Sequence, residues 1–363
     1  MNFTYYMPVR VVAGEDCVQK NAALFAPFGT RALIVTGKSS AKNGALEDIF
    51  RVLRQNGQEF AVFNEIEANP SVATVQKGGL FARSFGADFI VAAGGGSPMD
   101  AAKAIALCAR QDVADIFSHP IGEDVLPMIH IPTTAGTGSE VTQYSILTDD
   151  VSQTKRSIAA PQLFPKIAFL DGKYMEDLPQ SVTVNTALDA VSHAVEGMLS
   201  VRANLFSDAL ARESLRLLFG EYSALRAGVY ARADRQMLLY GAALAGMVIA
   251  NTGTTHVHGM GYSLTYFRGV PHGRANGLLL PAFLEACKGK VPRRVSAICE
   301  ALGMDLPAFS QKVDDLIGPR DVYSEAELRD YAARAAKNRN VKNYLAEFSE
   351  EELFEVLCRS VGG

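Results

Sequence analysis

Asp189 and His193 stand four residues apart within a helical pattern. Four residues advance a helix by about 400°, so both side chains lie on one face, about one turn apart. That spacing suits two ligands of one metal ion, and it suits a plain helix-surface ion pair equally well. Taken alone, the ion pair is the better reading. The histidine inventory shifts the balance, because four of the six histidines (His193, His256, His258 and His272) fall between residues 193 and 272. Segments 253–261 and 271–274 set three of them among glycines, a mixture helices rarely need for packing. One carboxylate with three imidazoles is an oxygen and nitrogen donor set suited to Fe2+, Zn2+ or another borderline divalent ion. His256 and His258 are only two apart, so one of them is expected outside the donor set. His119 and His130, beside prolines, read as structural.

Two glycine turns carry a second chemistry. Gly94-Gly95-Gly96-Ser97-Pro98-Met99-Asp100 follows an apolar run and opens a helical pattern. Its glycines let a ligand approach the backbone, and the N–H groups of a helix start suit an anion such as a pyrophosphate. Ser97 reads as the helix cap, Pro98 as the first helical residue and Asp100 as a capping-box acid. The turn is not the G-x-G-x-x-G fingerprint, and an ordinary strand-to-helix turn explains it as well. The second turn, Pro132 to Glu140, offers the hydroxyls of Thr133, Thr134, Thr137 and Ser139 to phosphate or ribose. Two such turns at successive strand ends favour a dinucleotide.

These groups need elements to hold them. Apolar runs at 31–36, 88–93, 128–131 and 167–170 predict buried strands, with helices around 46–53 and over 72–85 between them. Continuous apolar strands alternating with helices imply a parallel sheet covered on both faces, a Rossmann-like α/β domain. Ten of the fifteen prolines precede residue 180, and the remainder is Ala- and Leu-rich helical sequence, as at 186–199, 206–218 and 235–249. The expected division is an α/β dinucleotide-binding domain over 1–179 and an all-α metal-binding domain over 180–363.

Composition narrows the class. With 48% hydrophobic and 20% charged residues, the 363-residue chain is neither disordered nor fibrous. A net charge of -4 argues against a nucleic-acid partner. Five scattered cysteines without a C-x-x-C pair fit a reducing compartment. The N-terminus lacks a signal-peptide layout, and the longest apolar stretch, 238–250, is short of the ~18 to 20 residues of a membrane span. The expectation is a soluble cytoplasmic enzyme.

The motifs together resemble the iron-containing, or group III, alcohol dehydrogenases over essentially the whole chain. They are Gly94 to Asp100 with Lys103, Pro132-Thr133-Thr134 through Gly138-Ser139-Glu140-Val141-Thr142, Asp189-Ala-Val-Ser-His193-Ala-Val-Glu196, His258-Gly259-Met260, Pro271-His272-Gly273 and Leu280-Pro281. The resemblance implies a dehydroquinate synthase-like fold, a bound metal and a nicotinamide cofactor. It places the metal ligands on Asp189, His193, His258 and His272, and its spacing between the last two selects His258 over His256. It places pyrophosphate contacts on Gly95, Gly96 and Ser97, and ribose and nicotinamide contacts on Thr133, Thr134, Thr137 and Ser139. Asn69, Asp100 and Lys155 also occupy cofactor positions.

Two departures stand out. Many members carry a second histidine four residues after the third ligand, where this chain has Tyr262. A tyrosine with an ordinary pKa of about 10 is a poorer proton shuttle, so His256 or the ribose hydroxyls are expected to take that part. After the first predicted strand the chain has Gly37-Lys38-Ser39-Ser40, where NAD-preferring members place an acid. The expected cofactor is therefore NADP, with NAD the alternative, and the expected metal Fe2+, with Zn2+ the alternative. The implied reaction is hydride transfer between a primary alcohol or diol and its aldehyde, in a homodimer. Rival readings are a dehydroquinate-synthase-like lyase, a glycerol-dehydrogenase-like enzyme, or a binding protein with a decayed site.

Overall fold

The apolar runs become strands hidden on both faces. The computed structural model describes residues 2–37 and 42–361, the side chain of Arg339 excepted. In chain order its first half holds β1 (Arg10–Ala13), α1 (Cys17–Lys20), β2 (Arg31–Gly37), α2 (Ala45–Gln55), β3 (Glu59–Ile66), α3 (Val72–Phe85), β4 (Phe89–Gly94) and α4 (Gly96–Arg110). Next come β5 (Met128–Pro132), β6 (Tyr144–Asp149), β7 (Thr154–Ala159) and β8 (Ile167–Leu170). Six strands form one sheet in the order β1-β8-β5-β4-β2-β3, every neighbouring pair parallel. β6 and β7 form a separate antiparallel hairpin.

Side chains alternate across the sheet as the pleat requires. Leu33, Val35, Ile90 and Ala92 enter the core under α3 and α4. Ala32, Ile34, Phe89, Val91 and Ala93 enter the opposite core with α1 and α2. Because both faces are dry, the central strands show no polar alternation, which is why they read as continuous apolar runs.

The second half is helical: α5 (Gln180–Leu199), α6 (Leu205–Gly220), α7 (Tyr222–Ala227), α8 (Arg232–Thr252), α9 (His256–Arg268) and α10 (His272–Cys287). Four more follow, α11 (Pro292–Leu302), α12 (Leu306–Ile317), α13 (Glu325–Ala336) and α14 (Glu350–Val361). The chain turns by 110° between α8 and α9. Among the described residues no single helix is long and apolar enough to cross a membrane.

Two compact units result, and their limits are not one cut in the sequence. The sheet unit holds residues 7–178 and takes in 231–239, the first turns of α8. The helical unit holds 179–230 and 240–363, and the residues before Met7 pack with it. There the Phe3 ring meets Phe206 edge-on at 5.2 Å. The single division expected between residues 179 and 180 misses both exchanges.

The sheet core makes a stability prediction. Ile90 lies at the middle of β4 with no exposure. Ile90→Ala removes three buried carbons and leaves a cavity, which should lower unfolding stability by about 2–5 kcal/mol in a urea titration.

Candidate metal centre and dinucleotide turns

Three helices of the helical unit each bring part of one donor cluster. Asp189 and His193 project one turn apart from α5, His258 comes from the first turn of α9, and His272 opens α10. The Asp189 Oδ1 atom lies 3.9 Å from His193 Nε2, 3.7 Å from His258 Nε2 and 3.8 Å from His272 Nε2. His193 Nε2 and His258 Nε2 are 3.0 Å apart. Donors about 2.1 Å from one tetrahedral ion stand about 3.4 Å from each other, and these four separations bracket that value. Asp189, His258 and His272 by themselves form a compact group of metal-ligating atoms within 4.8 Å of one another.

Packing makes the convergence possible. A Cβ on Gly273 would stand 1.9 Å from the Asn185 carbonyl oxygen and 2.9 Å from Asp189 Cβ. Only glycine lets α10 approach α5 that closely, and His272 is the residue beside it. Asn276, wholly buried one turn along α10, donates from Nδ2 to Asp189 Oδ1 at 2.8 Å and fixes the carboxylate. Burial alone would raise the Asp189 carboxyl, but the three imidazoles and this amide outweigh it and hold the pKa at about 2. Asp189, His193 and His258 are buried, while His272 keeps 24% of its side chain exposed.

Two neighbours of the donor cluster bear on proton transfer. Tyr262, one turn after His258, stacks on the His272 ring at 5.8 Å between centroids. His256 is packed by the rings of Phe283, Tyr344 and Phe348 at 5.6, 5.0 and 5.2 Å. Burial among them lowers its pKa to about 4, so it is held neutral. None of its described ring contacts is with a member of the donor cluster, and this packing speaks against a proton relay.

Glu196 closes the Asp189-to-Glu196 motif and has no role among the expected ligands. It stands seven residues after Asp189, on the same face of α5, and its carboxylate contacts His258 Nδ1. The i, i+4, i+7 series Asp189, His193, Glu196 was the available signal. Burial works against its charge, but His258 and Thr255 overcome that and hold the carboxyl below its usual range.

In the sheet unit the two glycine turns lie against each other at the carboxyl ends of β4 and β5. A Cβ on Gly96 would stand 2.5 Å from Thr137 Cγ2, and Gly95 lies beside Thr134. The Thr133 N–H donates to the Gly94 carbonyl at 2.9 Å. The helix begins at Gly96 with Gly95 in the cap position, so Ser97 is inside the first turn and does not cap it. Its hydroxyl instead accepts the Asn69 N–H at 3.2 Å. Thr148, paired with Lys155 across the β6–β7 hairpin, donates to the Asn69 carbonyl at 2.9 Å. Gly37 ends β2, and a Cβ there would lie 3.6 Å from Pro98. Lys38, Ser39 and Ser40 lie outside the described residues.

Asp100 is no capping acid either. Its carboxylate accepts the Ser139 hydroxyl and, at 3.1 Å, the Ile146 N–H. Lys103, fully buried, donates to Ser139 Oγ at 2.7 Å and the Tyr144 carbonyl at 2.7 Å. Burial draws the Lys103 amine down to about 8 and pushes nearby Glu140 up to about 7. Asp100, Lys103 and Ser139 thus brace the second turn against α4, and the first turn of α4 offers N–H groups to an anion.

A buried aspartate met by three histidines in the helical unit offers donors to a divalent cation, and the two glycine–hydroxyl turns of the sheet unit offer N–H and hydroxyl groups to an anionic ligand. The family model for iron-containing alcohol dehydrogenase matches residues 8–172, and that for the C-terminal part of the Fe-containing alcohol dehydrogenase family matches 183–358. The chain belongs to the iron-containing alcohol dehydrogenase family. It is 33% identical to lactaldehyde reductase of Escherichia coli (strain K12) over 287 residues, 77% of this chain and 74% of that protein. It is 33% identical to 1,3-propanediol dehydrogenase of Klebsiella pneumoniae over 319 residues, 85% of this chain and 80% of that protein. The crystal structure of an iron-containing alcohol dehydrogenase from Thermotoga maritima superposes with a TM-score of 0.92 at 36% identity, covering 100% of both chains.

The close approach at Gly273 can be tested directly. Gly273→Ala should force α10 away from α5, costing about 1–3 kcal/mol or more of stability in thermal or urea unfolding. Divalent-metal uptake, measured by elemental analysis, should fall with it.

Proposed function

We propose that this chain interconverts a small primary alcohol or diol with its aldehyde, using NADP(H) and one Fe2+ held by Asp189, His193, His258 and His272. The observation that carries the reading is the meeting of one carboxylate oxygen and three imidazole nitrogens in a buried helical setting. Bound there, such an ion would supply Lewis acidity toward a substrate oxygen, and a nicotinamide cofactor would supply the hydride chemistry. Asp189 contributes the negative charge that balances the cation, and Asn276 holds that carboxylate in one orientation. His272, with 24% of its side chain exposed, is the least enclosed of the four donors. On the sheet unit the α4 N-terminus binds the pyrophosphate, while Thr133, Thr134 and Thr137 serve as hydroxyl donors. Gly95, Gly96, Ser97, Asn69 and Lys155 complete that reading, with Asp100 and Ser139 acting as braces.

The donor set accepts iron and zinc alike, and family membership favours iron. The relatives named for lactaldehyde and 1,3-propanediol support a short diol or hydroxyaldehyde and favour the dehydrogenase over the lyase alternative. Five unpaired cysteines support a cytoplasmic setting. β1, at the sheet edge with only β8 beside it, supports a homodimer, which sedimentation would test.

NADP preference rests on Gly37. An acid at the end of this strand would bind the ribose hydroxyls and repel a 2′-phosphate. Gly37 has no such charge, and Lys42 stands exposed close behind.

Two outcomes follow. His272→Ala should abolish turnover and lower metal content while the circular dichroism spectrum stays native; full metal and full activity in that variant would refute the ligand set. Wild type should show the higher kcat/KM with NADP(H). Gly37→Asp should move that ratio strongly toward NAD(H), since the nearest described atom to a Cβ there is the Ile66 carbonyl oxygen at 3.4 Å.

A further inference from the structure

Glu196 is wholly buried near the C-terminal end of α5, and its two oxygens face different partners. Oε1 accepts the Thr255 N–H and the Thr255 hydroxyl, each at 2.8 Å. The same oxygen accepts the Val257 N–H at 3.1 Å and the His258 N–H at 3.4 Å. These are N–H groups of the chain entering α9, which have no partner within their own helix. Oε2 faces His258 Nδ1.

We propose that Glu196 is a positioning residue for the metal centre, fixing His258 as the Nδ1–H tautomer so that Nε2 presents a lone pair to the shared ion. The proposal rests on the metal reading above. An ionised carboxylate only accepts, so the ring nitrogen against Oε2 must carry the hydrogen. A neutral imidazole has one N–H, and its other nitrogen is then the acceptor. That other nitrogen is Nε2, which lies 3.0 Å from His193 Nε2 and 3.7 Å from Asp189 Oδ1. The Oε1 bonds also hold the start of α9 still, so the ring's tautomer and its backbone are set by one side chain. Ligating histidines elsewhere depend in this way on a partner at their remote nitrogen.

A purely structural role, capping α9, is the competing explanation, and one substitution separates them. Glu196→Gln keeps the shape. Its amide oxygen must face the cluster of N–H donors, because turning the NH2 group there would oppose donor to donor. The NH2 group is then left against His258 Nδ1, which can answer only by giving up its hydrogen. The proton moves to Nε2, and the lone pair aimed at the ion is lost.

The experiment uses the full chain, stripped of metal with a chelator. Imidazole 15N spectra should place the His258 proton on Nδ1 in wild type and on Nε2 in Glu196→Gln. Zn2+ affinity, read by competition with a chromophoric chelator, should fall about 10–100-fold in the variant with little change in Tm. Wild-type Zn2+ affinity in a folded variant, or a wild-type His258 protonated on Nε2, would overturn the positioning role. If the variant does not fold, the wild-type tautomer decides. A wild type that takes up no Zn2+ overturns the metal reading itself, which sets that failure apart from a failure confined to Glu196.

Discussion

A carboxylate cannot be taken into a helical interior unless something there answers its charge. Asp189, 2% exposed, imposes that condition on the whole helical unit. Its neighbours are three imidazoles and one amide, delivered by three separate helices. Each delivery has its own packing device. The Ala-rich face of α5 places Asp189 and His193 in register, Gly273 lets α10 close in, and the 110° turn before α9 aims His258 inward.

The sheet unit encloses a buried cation as well. Lys103 is fully enclosed, and its ammonium is spent on Ser139, Thr142 and the Tyr144 carbonyl. Its contacts bind the second turn to α4 from beneath. This divides the motif residues into two groups by what their polar atoms already do. Asp100 and Ser139 are committed to each other, while Gly95, Gly96, Thr134 and Thr137 line the seam where the two turns touch. A motif read as a row of ligand contacts is partly scaffolding.

The central strands and long helices were legible because burial on both faces, or on a helical stripe, leaves unbroken apolar signals. β2, β4, β5 and β8 fall where the apolar runs lie. β1 was missed because four residues carry too little pattern, and β3 because this edge strand interrupts its apolar run with Asn64 and Glu65. The β6–β7 hairpin mixes Ser, Thr and Lys into its strands and reads as loop. At the site, Asp189 and His193 could be paired from spacing, and His258 could be chosen over His256 only through family resemblance. The structure supplies the physical ground for that choice in the aromatic packing around His256. Spacing sets Glu196 on the same helix face as Asp189 and His193, but its contact with His258 spans 62 residues of sequence, a distance periodicity cannot bridge. Ser97 was misplaced by two positions, since glycine caps this helix and leaves no side-chain signature.

The sharing of α8 matters for how the polypeptide acquires its structure on the ribosome. Arg235, 2% exposed, donates to the Leu178 carbonyl at 3.0 Å, and Gln236 accepts the Gly172 N–H at 2.8 Å. A nascent chain that has emerged only through residue 178 has all eight strands found among the described residues but none of these partners. Domains commonly fold in order as they leave the ribosome. Here the first unit must wait with an unfinished surface until some sixty further residues, including all of α5, α6 and α7, have been synthesised. A gene fragment cut at residue 178 would encode the sheet unit without residues 231–239, which belong to it.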